Sequence, residues 1–530
     1  MRNKKLQVWL PLIFSLVMIT GMYFGFQLHQ QTGSTKSFFK RDKRTSLQET
    51  LDLIKDRYVD RIGIDSLQDD AINEVMAHLD PHSVYIPASD VTSANEDLVG
   101  NFEGIGIEFN IFDDTVHVLY VVPNGPSDKA GIHIGDKLLK VNDSSIVSKI
   151  LPSTDIRKLI RGKEGTKVKL TVLREKTIQY YQVVRGTIPL PSVDAAYMIT
   201  PNTGYIKLNK FSETSYSEFM DAMISLQKQG LQKLILDLRD NGGGFVKQAV
   251  NIADEFLDDN KLIVYTQGAN VPKEEYRAEK DGLFEKGKLV VLVNEMTASA
   301  SEILAGALQD WDRAIIIGRR TFGKGLVQGQ YNLSDGAAIR LTIARYYTPS
   351  GRSIQRPYNK GKKVYMDEIY ERYLNGEMVT ADSIHFLKSQ QAYKTKGGRT
   401  VYGGGGIVPD VFVPIDTSSF TRNVRMLYLE GRFNNFVYKY YIDHINEFQQ
   451  YKTPSDFSAR YQNSEDVWKQ LVAFALKDSI NLKIIPDKDK LNIQEQIKAF
   501  LARLKWRTQG YYQVFNSFDP VVKKAEEVLK

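Results

Sequence analysis

Ser299 and Lys324 are the residues whose types and surroundings could carry covalent chemistry in this chain. Both lie within KLVVLVNEMTASASEILAGALQDWDRAIIIGRRTFGKGLVQ, residues 288–328. A serine hydroxyl is a weak nucleophile until a base takes its proton. The usual partners are scarce here: the chain has no Cys, and no His falls between His133 and His385. A lysine amine can serve if burial or neighbouring charge lowers its pKa from about 10.4 toward neutrality. Two other readings compete for these residues. Ser299 and Glu302 form S-x-x-E before an apolar run, a capping box that by itself explains both without catalysis. The two roles are compatible, because the start of a helix favours developing negative charge. Gly318 to Lys324 fits G-x-x-x-x-G-K, but Gly325 stands where a phosphate-binding loop carries Ser or Thr. The segment that follows reads as strand rather than helix, so the nucleotide reading is rejected.

The elements that must position the pair follow from periodicity. The apolar run Leu289 to Val293 has strand length and leads through a polar turn, Asn294 to Thr297, into a helix-period segment from Ser299. Ile303, Leu304, Ala307 and Leu308 recur there at helical spacing. A second apolar run, Ala314 to Ile317, feeds the glycine-punctuated loop that carries Lys324. Two strands thus deliver a hydroxyl and an amine to neighbouring loops. Upstream, the strand-like KLILDLRD is followed by Gly242 to Gly244, where a backbone can approach a ligand closely and point N–H groups at it.

TASASEILAGALQD followed by GRRTFGKGLVQ closely resembles the C-terminal processing peptidases, tail-specific serine proteases with a Ser-Lys dyad and an attached PDZ domain. The resemblance implies that Ser299 is the nucleophile, that Lys324, 25 positions later, is its base, and that Gln328 positions the amine. Thr297 stands where the family has the first Ser of its run, a conservative change away from the nucleophile. The resemblance also implies an oxyanion hole built from a backbone N–H of the glycine run, assigned to Gly243, and the N–H of Ala300. YVD with LDPHSVY, RYYTPSGRSIQRPY and GGGGIVPDVFVP match the family as well. Its core fold is a mixed α/β spiral of strand-strand-helix units, the crotonase-like arrangement. No cofactor or metal is expected: His78 and His82 have a metal-like spacing, but Pro81 between them breaks the helix such a site would need.

At 530 residues, 42% hydrophobic and 25% charged, the chain reads as a multidomain α+β protein. The expected order is a signal anchor and linker (1–44), an N-terminal helical region (45–99), a PDZ domain (100–186), the protease core (187–415) and a C-terminal helical domain (416–530). In the PDZ stretch, FEGIGIEF is a glycine-bearing turn leading into an alternating strand. Such a domain takes an extended peptide as an added strand, and Gly104, Ile105, Gly106 and Ile107 are the expected contacts. The amphipathic, aromatic-rich helices after Asp416 mean a packed helical domain or a helix-mediated homodimer contact, and their spacing does not separate the two.

The net charge of +7 is localised. Residues 1–44 hold eight basic residues and one acidic, leaving 62 of each sign elsewhere, so nucleic acid is not an expected partner. Arg2, Lys4 and Lys5 precede an uncharged stretch, Val8 to Leu28, about long enough to span a bilayer. No Ala occurs before Ala71, so an A-x-A cleavage site is missing and an uncleaved single-pass signal anchor is expected. Three basic residues before the stretch and five after it leave orientation undecided by charge. The exported character of the resembled family places the large domain in the periplasm or other extracytoplasmic space. The expected function is ATP-independent cleavage of exported or membrane proteins recognised by apolar C-terminal tails, with an adaptor protein left open. The alternative is a catalytically silent PDZ peptide-binding scaffold, against which the intact Ser299, Lys324 and Gln328 argue.

Overall fold

The computed structural model describes residues 4–31, 45–112, 114–147, 151–380, 391–416, 421–462 and 465–530. It divides into two units, residues 1–74 and 75–530. In the first, helices span Lys4–Gln31 and Ser46–Arg57, the latter capped by the Thr45 side chain. Among the described residues no helix is long and apolar enough to cross a membrane. The expected anchor falls on the helix Lys4–Gln31, where the side chains from Phe14 to Phe24 are all exposed. Arg2, Lys36, Lys40, Arg41, Lys43 and Arg44, the basic residues weighed for orientation, lie outside the described residues.

The second unit holds the sheets. Strands Ile107–Phe112, Thr115–Val121, Lys137–Val141, Lys167–Arg174 and Thr177–Val184 form an antiparallel sheet in that order, with the helix Ser153–Ile160 against it. Val116 and Val118, and Val168, Leu170 and Val172, alternate into its core, as a sheet with one solvated face requires. Ile107–Phe112 is an edge of this sheet.

A second six-stranded sheet, the mostly parallel one, is built differently. Val193–Thr200 pairs antiparallel with Thr203–Leu208, and from there Lys233–Asp237, Lys288–Val293, Ile315–Gly318 and Val411–Phe412 follow in parallel. Its strands are apolar on both faces because both faces are covered. Leu289, Val291 and Val293 point into the larger core with the helices Ser215–Lys228, Val246–Asp254 and Ala300–Asp310. Val290 and Leu292 point the other way, onto Val521, Val522, Ala525 and Leu529 of the helix Pro520–Leu529. That helix was expected in the C-terminal helical domain and instead seals the back of the protease sheet. Its entry is fixed by Arg239, which bridges the buried carboxylates of Asp237 (2.6 Å) and Asp519 (2.7 Å).

A second sheet of the core joins Ala338–Tyr347 to Leu326–Asn332, to Leu262–Gln267 with Glu274–Arg277, and to Val84–Ile86. The last of these is a short strand inside the expected N-terminal helical region, 45–99. Helical periodicity stops at Ala77, ahead of both His78 and His82, and the buried Tyr85 and Ile86 join the core three residues beyond His82. Helices from Arg422 to Phe515 make a separate aromatic-rich core with Phe433, Phe436, Phe457 and Trp468. The longest, Asp487–Phe515, kinks at Trp506 and Arg507.

Val522→Ala should lower stability by roughly 2 kcal/mol, the cost of a cavity behind the parallel sheet. A urea midpoint equal to that of the parent chain would refute this packing role.

Candidate active site

The strand Lys288–Val293 ends in a turn held by side chains. Thr297 is fully buried, its hydroxyl donating to Leu238 O (2.9 Å) and accepting from Asn294 N (2.9 Å). Its departure from Ser therefore sits in a structural contact. Two residues later Ser299 has φ +57° and ψ −117°, a strained region for a non-glycine residue, and the helix Ala300–Asp310 begins at once. This is a strand-turn-helix elbow, a geometry that can present a side chain at the top of a sheet.

Glu302 does more than close a helix cap. Its carboxylate is wholly buried and accepts four hydrogen bonds: from Ser299 N (2.9 Å), Lys324 N (2.9 Å), Gly323 N (2.8 Å) and Thr321 Oγ1 (2.5 Å). Burial pushes its pKa up to about 7, against the pull of these donors. The hydroxyl of Tyr346, also buried, lies 3.0 Å from Ser299 O and 2.6 Å from Lys324 O. Two residues from different loops thus have their backbones tied at both the N–H and the carbonyl. The second loop is stiffened from behind. Arg372 donates to Thr321 O (2.8 Å) and Phe322 O (3.2 Å), and Arg320 pairs with Glu377 (2.5 Å).

Lys324 donates from Nζ to Gln328 Oε1 at 2.9 Å. Burial pushes its ammonium below the ordinary lysine value; Arg340 adds to this, and Asp80 and Glu302 oppose it. Gln328 is oriented in turn by its Nε2, which donates to His82 O. His82 sits in a turn organised by Asp80, whose carboxylate accepts from His82 N (2.9 Å), Ser83 N (3.1 Å) and Thr342 Oγ1 (3.0 Å). Burial and the Lys324 charge push His82 down to about 4, and its Nε2 meets Tyr365 OH at 2.9 Å. Asp80, His82 and Tyr346 were not anticipated as site residues. The LDPHSVY match was the one sequence signal pointing to the first two.

Of the two expected oxyanion donors, Ala300 opens its helix, a position whose N–H has no intrahelical acceptor. Gly243 lies against it: a Cβ there would come within 2.9 Å of Ala300 N and 2.8 Å of Ser299 Cβ. Its φ of +97° and this close approach both demand glycine. The Gly243 N–H, however, donates to Asn241 Oδ1 (2.9 Å), so in this state that expected donor is engaged inside its own loop. A Cβ on Gly242 would meet open space. In the sheet domain, Ile105, Gly106 and Ile107 line a groove, while Gly104 pairs with Gly186 in a separate two-stranded ladder. The carbonyls of Ile105 and Gly106 accept from Ser127 N (3.0 Å) and Val122 N (2.9 Å).

The geometry can serve acyl transfer: a strained serine at a helix start, a buried amine with a fixed acceptor, and glycine backbone packed against the serine. Comparison with known proteins agrees. Residues 202–361 match peptidase family S41, residues 104–183 match a PDZ domain, and residues 423–507 match a family of unknown function (DUF8443). The chain is 35% identical over 352 residues to the carboxy-terminal processing protease CtpA of Bacillus subtilis (strain 168), covering 65% of this chain and 75% of that protein. It is 34% identical over 329 residues to a probable CtpA-like serine protease of Staphylococcus epidermidis, covering 62% and 66%. The solved photosystem II D1 C-terminal processing protease is 28% identical, with 69% of this chain and 86% of that chain covered at a TM-score of 0.36. With that share of CtpA aligned at that identity, and a PDZ domain set before the peptidase segment, the chain belongs to the C-terminal processing peptidases, serine-type proteases of family S41.

Proposed function

We propose that the chain is an ATP-independent endopeptidase that holds protein C-terminal tails in its PDZ domain and cuts nearby bonds with a Ser299–Lys324 dyad. The observation that carries this is the buried Lys324 amine, fixed by Gln328, on a loop tied to the Ser299 elbow through Glu302 and Tyr346. Neutral Lys324 takes the Ser299 proton as Oγ adds to the scissile carbonyl. The tetrahedral oxyanion is met by the Ala300 N–H and by an N–H of the glycine run. For Gly243 this requires giving up its bond to Asn241. Lys324 returns the proton to the leaving amine, then activates water to release the acyl enzyme. The crotonase-like spiral is supported by the chain path, which leaves the parallel sheet after Lys233–Asp237, forms a helix and two strands of the second sheet, and returns at Lys288–Val293.

We place the enzyme outside the cytoplasm, tethered through the helix Lys4–Gln31. The run of exposed apolar side chains on that helix, including Phe14, Leu16, Val17, Ile19 and Phe24, supports the tether, while the side of the membrane rests on the exported character of the resembled family. The full chain should therefore sediment with membranes and be released by detergent; recovery in the soluble fraction would refute the tether.

Residues 45–530 and the Ser299→Ala variant should be compared on unfolded proteins that differ only in their last residues, with products read by mass spectrometry. Ser299→Ala and Lys324→Ala should each cut at least about 1,000-fold more slowly. If neither parent nor variant cuts but both bind tails, the chain is a scaffold. The base is active only when neutral, so kcat/KM should rise with pH through the Lys324 pKa and then level off. Because burial lowers that pKa, the plateau should begin below the ordinary value near 10.5. A flat profile, or one unchanged in Lys324→Ala, would remove Lys324 from the mechanism. Glu302→Gln turns an amide toward two donors that need an acceptor. It should cost about 2–6 kcal/mol, ~1–3 for each stranded donor. An unaltered melting temperature would show that the clamp is dispensable.

A further inference from the structure

A cavity of about 380 Å³ lies between the PDZ domain and the C-terminal helical domain. One wall is the PDZ groove: the loop at Ile105 and Gly106, the strand Ile107–Phe112 and the end of the helix Ser153–Ile160. Among the described residues that strand pairs only with Thr115–Val121, so its other edge can accept an added strand. The opposite wall is made by the helices Arg432–Asp443 and Asp487–Phe515, through Val437, Phe500, Arg503 and Leu504.

These helices are fixed to the PDZ domain at both ends of the cavity. At one end the Tyr438 ring packs on Phe112, centroids 5.1 Å apart, and its hydroxyl donates to Val118 O at 3.4 Å. At the other, Arg507 and Arg503 reach the Glu108 carboxylate at 2.9 and 3.4 Å, and the Arg507 guanidinium lies 3.5 Å from the centroid of the Tyr120 ring. Arg507 has φ +62° and ψ −157°, strained for a non-glycine residue, and this kink turns the long helix where it meets the PDZ domain. The charged groups lining the cavity are three arginines, Arg157, Arg161 and Arg503, against one carboxylate, Glu108. Arg161 is itself paired with Glu96 at 2.7 Å. The excess of positive charge suits a free C-terminal carboxylate.

We infer that the C-terminal helical domain is the outer wall of the tail-binding site. A substrate tail is clasped between the edge strand and the two helices, and its terminal apolar side chain enters the space bounded by Ile105, Val437, Phe500 and Leu504. This rests on the reading of the PDZ domain as a tail receptor, and it gives a role to the segment that otherwise matches only a family of unknown function. Tail preference is then set jointly by the two domains.

The test uses the full chain carrying Ser299→Ala, so that nothing is cut, with fluorescent peptides identical except for a last residue of Ala, Val, Leu or Phe, each as free acid and as amide. Binding is read by anisotropy. Leu504→Phe should shift the affinity ratio of Phe-ended to Ala-ended peptides downward by about tenfold, and Leu504→Ala should shift it upward, since one methylene in an apolar pocket is worth about 10-fold or more. Reciprocal shifts cannot come from general loss of folding. Ratios unchanged in both variants overturn the proposal, whatever the affinities. If no free-acid peptide binds while the Ser299 form still cuts unfolded proteins, the tail-receptor reading falls, and this proposal with it.

Discussion

The buried carboxylate of Glu302 is the constraint on which the site depends. An anion without water is costly unless its oxygens are fully hydrogen-bonded. Here the four donors that satisfy it come from the elbow and from the loop of Lys324. The carboxylate cannot be content unless the two loops stand in one relation, and that relation sets the backbone of Ser299 beside that of Lys324. The arginines behind the second loop extend the same logic. Arg372 takes carbonyls that the loop cannot pair internally, so loop, clamp and support form one hydrogen-bonded body.

Much of this body was legible in the sequence, because the strand, turn and helix around Ser299 are local. The runs Leu289–Val293 and Ala314–Ile317 became parallel strands of one sheet, and the segment from Ser299 became the helix that follows. S-x-x-E marks a cap, and a cap spacing carries no sign that the glutamate also holds a loop about twenty residues away. Tyr346 and the turn at Asp80 act through contacts distant in sequence, and no periodicity marks such contacts. Val84–Ile86 is too short for a period of two to register, and its strand identity comes from the partner Ala338–Tyr347. The helix Pro520–Leu529 has the amphipathic pattern of its predecessors, so pattern alone could not say which core it covers. Gly243 shows a further limit. The family resemblance singles it out as an oxyanion donor; in the structure it lies against the elbow, and no sequence signal marks the Asn241 side chain that takes its N–H.

The two faces of the parallel sheet divide the labour of the protein. One face, under the helix Ala300–Asp310, orders the elbow. The other, under Pro520–Leu529, leads through Asp519 and Arg239 to the residues just before the glycine run. Asp237 is held well below the usual carboxylate range by Arg239 and Lys207, although burial opposes them. The glycine loop therefore starts from a rigid ionic anchor and runs tightly packed up to the elbow.

That arrangement has a consequence for biosynthesis. Val290 and Leu292 leave the ribosome roughly two hundred residues before Val521 and Val522, which cover them. Throughout that interval the nascent sheet has one apolar face without its partner, and closure must wait on a contact of very long sequence separation. The peptidase is thereby completed late, after its PDZ domain and nearly all of its helical domain have been made.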